Sequence, residues 1–148
     1  MGASELRLNA PAPDFTLKDS SGHPVRLGDL HGHPVVLIFY PADLTPGCTM
    51  QLCAIRDDWQ KFHARGIRVF GINHGDTASH HSFVSKHHLP FPLLTDLHKK
   101  ISVLYGAVRS LFGVKIIRRT VIGIDAAGLI CYLKRGMPRT ADILKAIK

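Results

Sequence analysis

Three cysteines carry the reactive potential of this chain, and their spacing restricts what they can do. Cys48 and Cys53 are separated by four residues rather than the two of a zinc knuckle or a Cys-x-x-Cys redox pair, and no second close Cys or Cys/His pair follows. The pattern argues against structural zinc and leaves thiol chemistry or plain burial. Cys131, inside the apolar run Leu129 to Leu133, reads as a buried bystander.

Cys48 follows Thr45-Pro46-Gly47. Proline suits the first helical position and threonine caps helices, so the spacing predicts a helix beginning at Pro46 with Cys48 in its first turn. Backbone N–H groups there lack helical acceptors and the macrodipole is positive, which favours a thiolate. On a helical wheel Cys48 falls about 40° from Leu52, inside the arc of Ile55, Trp59 and Phe62. Periodicity alone fits an inert cysteine completing an apolar stripe equally well; the cap and the neighbouring residues favour chemistry.

A second candidate is the pair Arg118-Arg119. Over a predicted strand from Ile116 to Ile124, alternation puts Arg118 on the face of Thr120, Ile122 and Ile124, pointing inward, and turns Arg119 away. An inward arginine is costly without a partner, so Arg118 is the one expected in a site. Ten histidines, including His80-His81 and His87-His88, invite a metal reading. The i,i+4 spacing of a helical chelate is missing, and solvated histidines are the reading adopted.

The elements that must position these residues can be read in order. Phe15 to Asp19 and Pro24 to Leu27 alternate around Ser20-Ser21-Gly22 as a hairpin. Val35 to Tyr40 is a continuous apolar run of the kind buried on both faces of a sheet, and it ends at Pro41. The Pro46 helix runs on through Trp59 and Phe62 to Gly66. Arg68 to Asn73 is a strand, Thr77 to His88 a helix, and Lys99 to Tyr105 a short helix after the breaks at Pro90 and Pro92. Ile116 to Ile124 and Leu129 to Leu133 form a hairpin around Asp125 to Gly128, and Thr140 to Ile147 is a closing helix. The order predicts an α/β protein: a thioredoxin-like fold in which helices flank a central mixed β-sheet with an N-terminal β-hairpin, in one domain over 1–148.

The stretch Pro41-x-x-x-Thr45-Pro46-Gly47-Cys48, placed after a buried strand, closely resembles the active-site signature of the peroxiredoxins (AhpC/TSA-like). Cys53, five residues on, is similar to the bacterioferritin comigratory protein/peroxiredoxin Q subfamily. The likeness runs from Ala12-Pro13-Asp14-Phe15 through Ser79-His80-x-x-Phe83, Leu89 to Asp96 and Arg118-x-Thr120 to the last helix. It implies a thiol peroxidase: Cys48 attacks a hydroperoxide and becomes a sulfenic acid, Cys53 resolves it as an intramolecular disulfide, and thioredoxin or a similar dithiol reduces that bond. No metal or organic cofactor is required by that chemistry.

By the same resemblance, Thr45 offers its hydroxyl to the thiolate and the peroxide, Pro41 shields the pocket from water, and Arg118 supplies a permanent charge. A thiol of ordinary pKa is about 3% ionised at pH 7, so full ionisation gains only about 30-fold. Faster chemistry needs donors aimed at the two oxygens of the transition state. The sequence departs from the pattern at Val121, at Asn73-His74-Gly75-Asp76, and in a short basic segment from Tyr105 to Lys115.

Among its 148 residues, basic side chains outnumber acidic ones 19 to 11. The excess lies entirely in residues 99–148, which carry 11 basic and 2 acidic residues. Such a face could steer an acidic protein or an anionic substrate. The alternative function is a basic module binding nucleic acid or protein on the same fold. It has no aromatic-interleaved stripe or DNA-reading motif in its support, so nucleic acid is not the expected partner. The longest apolar run has six residues, too short to span a bilayer. Residues 1–6 lack a leader or myristoylation pattern, and a cytoplasmic monomer or weak dimer is expected.

Overall fold

In the computed structural model, which describes residues 6–147, the predicted first hairpin is present; residues 1–5, on which the expected absence of a leader rests, lie outside the described residues. Strand β1 (Thr16–Asp19) pairs antiparallel with β2 (Pro24–Arg26), matching Leu17 to Val25 across a turn in which Gly22 takes φ +85°. A 3-10 turn, Leu27–Leu30, leads into β3 (Val35–Phe39).

All five residues of β3 are buried because the strand lies in the middle of a seven-stranded sheet. Alternation sends Val36, Ile38 and then Tyr40 to one face, where they pack with Leu52, Ile55, Phe62 and Phe83. Val35, Leu37 and Phe39 go to the other face, against Ile122, Ile124, Phe70 and Tyr105. One continuous apolar run thereby supplies two cores.

After β3 come helix α1 (Pro46–Asp57) and helix α2 (Trp59–Ala64). The single helix expected to reach Gly66 is interrupted at Asp58, whose N–H is shared between the Ala54 and Ile55 carbonyls. The Asp58 carboxylate accepts a hydrogen bond from the Thr140 hydroxyl, which ties the break to the C-terminal helix. Strand β4 (Arg68–Asn73) lies parallel to β3, pairing Val36 with Val69 and Phe39 with Ile72. Helix α3 (Thr77–His87) starts as expected after Asp76, whose side chain accepts from the Ser79 N–H at 2.8 Å.

Strand β5 (Leu93–Thr95) is absent from the sequence reading, which placed only chain breaks between Pro90 and Pro92. Three residues are too few to show a period; pairing with β4 on one side and β1 on the other makes them a strand. Helix α4 (Lys100–Leu104) follows. A second unforeseen element is the hairpin of β6 (Val108–Leu111) and β7 (Val114–Ile117), a separate two-stranded ribbon. Phe112 and Gly113 turn it, both at positive φ, and Phe112 is a poor sequence signal for such a turn.

That ribbon corrects the expected strand from Ile116 to Ile124. Strand β7 ends at Ile117, β8 (Thr120–Ile124) begins three residues later, and Arg118 and Arg119 stand between them. Strand β8 runs antiparallel to β3, and β9 (Ile130–Arg135) pairs with it at the sheet edge. Helix α5 (Thr140–Ala146) closes the chain, burying Ile143 in the core that α1 and α2 share. The sheet order is β2-β1-β5-β4-β3-β8-β9, with helices over the faces of a mixed sheet.

Candidate active site

The parallel strands β3 and β4 end together, Phe39 beside Ile72, and the loops leaving them meet the start of β8 at Thr120. A crevice beyond the carboxyl ends of parallel strands is where α/β sheets place their chemistry. Pro41 is half-buried at the turn that leaves β3, and Leu44 takes φ +59° two residues before the helix.

Thr45 occupies the cap position of α1 in extended conformation, and Pro46 is the first helical residue. The Thr45 carbonyl accepts from the Thr49 N–H at 2.8 Å, so the Gly47 and Cys48 amides lie ahead of the helical ladder. Contrary to expectation, the Thr45 hydroxyl does not cap the helix: it donates to the Ala42 carbonyl at 3.0 Å, pinning the loop. Cys48 is fully buried, on the face of α1 that also presents Leu52 and Ile55. Cys53, on the same helix, is half-buried against this core, and all three cysteines are free thiols.

The arginine assignment is reversed by the structure. Arg118 is exposed, with its backbone N–H donating to the Ala107 carbonyl at 2.9 Å. Arg119 turns in toward α1: its Nη1 donates to Oε1 of the buried Gln51 at 3.2 Å. Its Nη2 lies 2.7 Å from the point a Cβ on Gly47 would occupy. The expected inward face was the wrong one: Ile122 and Ile124 pack in the core away from α1, whereas Val121 packs with Cys48, and Arg119, two residues before Val121 and bonded through its carbonyl to the Gly136 N–H at 2.9 Å, falls on that side. Gln51 was missed as well, although it sits one helical turn after Cys48 and so shares its face. Arg135 adds a third cation nearby, its Nη1 donating to the Thr120 hydroxyl at 3.0 Å.

One polar cluster escaped the sequence reading altogether. The Asp43 carboxylate accepts from the Tyr40 hydroxyl at 2.5 Å, from Asn73 Nδ2 at 3.1 Å and from the Ser79 hydroxyl at 2.6 Å. His80 Nδ1 lies 2.7 Å from its Oδ2. Burial alone would raise the Asp43 carboxyl, but the hydrogen bonds from His80, Ser79 and Tyr40 outweigh it and hold it below its ordinary value. Tyr40 is pushed the other way, first by burial and then by the Asp43 charge beside it. His80 is thus not solvated: it is fully buried, whereas His81 and His88 are exposed. A cleft of about 500 Å³ lies at the other end of the sheet, lined by Leu27, His31, Val35 and Ile124, and Cys48 is not among its walls.

A model of the AhpC/TSA family matches residues 8–133. The chain belongs to that family. Among its AhpC/TSA relatives is the chloroplastic peroxiredoxin Q of Arabidopsis thaliana, 50% identical over 119 residues, which are 80% of this chain and 55% of that protein. The chain therefore spans about half the length of the curated relatives it matches. Two solved structures extend the AhpC/TSA likeness to three dimensions. The peroxidoxin BcpB of Mycobacterium tuberculosis superposes with a TM-score of 0.88 at 28% identity, covering 96% of both chains. A bacterioferritin comigratory protein of Xanthomonas campestris, described for its alkyl peroxide reduction activity, gives 0.79 at 25% identity, covering 89% of this chain and 86% of that one. The sheet order and flanking helices are accordingly those of the thioredoxin-like fold expected from the sequence.

Proposed function

We propose that this protein is a thiol peroxidase that reduces hydrogen peroxide and organic hydroperoxides through Cys48. The observation that carries the reading is the placement of a buried cysteine in the first turn of α1, with the Arg119 guanidinium folded over the adjacent Gly47. The Cys48 thiolate attacks the terminal peroxide oxygen: an S–O bond forms as the O–O bond breaks, leaving a sulfenic acid, and the departing alkoxide or hydroxide takes a proton to leave as alcohol or water. Amide N–H groups of Gly47 and Cys48, with Arg119, are the donors for the charge that moves between the two oxygens. Arg119 takes the role first expected of Arg118. Thr45 and Pro41 shape the loop over the thiol.

Cys53 then attacks the sulfenic sulfur, releasing water and forming a disulfide with Cys48. A dithiol such as thioredoxin returns both cysteines to thiols. The basic C-terminal third offers such a partner an electrostatic approach, in a reducing compartment of which the cytoplasm is the simplest instance. The alternative of a basic binding module leaves the buried thiol and the inward arginine without a task. The test is a coupled assay with hydrogen peroxide or cumene hydroperoxide and thioredoxin as reductant. Turnover that disappears in Cys48→Ser supports the proposal; activity within a few-fold of the wild type overturns it.

A further inference from the structure

The Asp43 carboxylate is an anion taken out of water beside a helix start that must hold another anion. Its side chain is 4% exposed and that of His80 is 0% exposed. The ring of His80 is fixed at both ends: Nε2 lies 3.1 Å from the Leu94 carbonyl and Nδ1 lies 2.7 Å from Asp43 Oδ2. A carbonyl can only accept, so Nε2 carries a hydrogen. Nδ1 faces a carboxylate oxygen at hydrogen-bonding distance, so that contact holds a proton too. With Tyr40, Ser79 and Asn73 also donating to Asp43, the arrangement is that of an imidazolium and a carboxylate, a pair of no net charge.

We propose that His80 is a positioning residue for the thiol of Cys48. It neutralises Asp43, and by gripping Asp43 it fixes the loop that carries Pro41 and Thr45 to the start of α1. The inference rests on the peroxidase reading for its purpose but not for its physics. Asp43 lies five residues before Cys48, and buried Tyr40 stands in the electrostatic reach of both. An uncompensated carboxylate there would oppose ionisation of the thiol; a compensated one does not. The grip joins three elements: Tyr40 follows β3, Asn73 ends β4, and Ser79 and His80 sit in the first turn of α3. His74 is the other titratable group in electrostatic reach of both members of the pair, and Lys99 and Asp96 act on it in turn. His74 is exposed, whereas His80 is buried with Nδ1 2.7 Å from Asp43 Oδ2, so the neutralising charge is assigned to His80.

The test compares His80→Gln and His80→Gln/Asp43→Asn in a reduced protein that also carries Cys53→Ser and Cys131→Ser. Alkylation of Cys48 by iodoacetamide is followed against pH by mass spectrometry. Removing the imidazolium alone leaves the carboxylate bare, and the midpoint moves alkaline by about one pH unit, with alkylation at pH 7 slower by about tenfold. Replacing both partners by neutral amides returns the midpoint to within about 0.3 of the parent. An unmoved midpoint in the single variant, or no return in the double variant, overturns the proposal. Nitrogen-15 shifts of the His80 ring in the unsubstituted protein give an independent reading should the single variant not fold. Both ring nitrogens protonated at pH 7 is the expected result, and one bare nitrogen overturns the proposal. Alkylation needs no peroxide, so the two readings fail separately. Shifted midpoints without turnover would sink the peroxidase alone, and turnover with unmoved midpoints would sink the role of His80 alone.

Discussion

Arg119 Nη2 occupies the space that any side chain on Gly47 would need, 2.7 Å from the point where its Cβ would lie. Gly47 has no positive φ, so its lack of a side chain serves the arginine and not the backbone. Gly47→Ala should therefore favour the helix while pushing the guanidinium off the site. The expected outcome is an unchanged or slightly higher melting temperature with Cys48 oxidation slowed by roughly tenfold to a hundredfold in stopped-flow measurements. A wild-type rate would show that the position of Arg119 does not matter.

The two adjacent arginines should separate cleanly. Arg119→Met removes the guanidinium that bonds Gln51, and slows the reaction with peroxide by at least about tenfold. Arg118→Ala removes an exposed side chain and leaves that step within about twofold. The opposite ranking would return the role to Arg118.

Cys48 and Cys53 lie five residues apart on one continuous helix, α1. Helical geometry sets their α-carbons about 8.6 Å apart, whereas a disulfide bridges at most about 7 Å. A Cys48–Cys53 disulfide can therefore form only if part of α1 unwinds. Amide exchange in oxidised protein should accelerate over residues 46–54 and their contacts, and Cys53→Ser should lose that difference while still completing one round of peroxide reduction. A disulfide between chains, or no Cys48–Cys53 bond by mass spectrometry, would rule out Cys53 as the resolving residue.

Asp43 links stability to acid. Its carboxyl lies below the ordinary 3.8 in the folded protein, so the stabilisation is complete above about pH 4 and is lost as pH falls through the folded value. Urea midpoints of the wild type should drop below about pH 4 more steeply than those of Asp43→Asn. At pH 7 the variant should be less stable by about 3 kcal/mol, the usual cost of breaking a buried pair. Parallel curves would show that Asp43 does not titrate with folding.

Exposed Lys134 and Arg135 lie on β9 opposite Val121 and Thr120, so part of the basic excess flanks the site. Recycling by an acidic dithiol protein should slow several-fold between about 50 and 500 mM salt, as screening shortens the reach of the charges, while the reaction with peroxide stays constant. Salt-independent recycling would remove this role from the basic face.

What the sequence determined was local. Thr45-Pro46-Gly47-Cys48 specified a helix start and put a cysteine in its first turn, and the run from Val35 to Tyr40 specified a strand buried on both sides. Asp76 marked the start of α3. These features need only neighbours in the chain: a fixed proline φ, a capping oxygen, a continuous apolar run. The tertiary structure decided the rest. Leu93 to Thr95 became a strand because β4 and β1 stood on either side of it. Arg119 turned inward because α1 packs on the face of β8 that carries Val121 and not on the face of Ile122 and Ile124. His80 changed from one histidine among ten into a buried partner of Asp43, 37 positions away. Which face of a strand a helix covers and how distant polar groups pair follow from which segments pack together, and no period or cap in the chain encodes that.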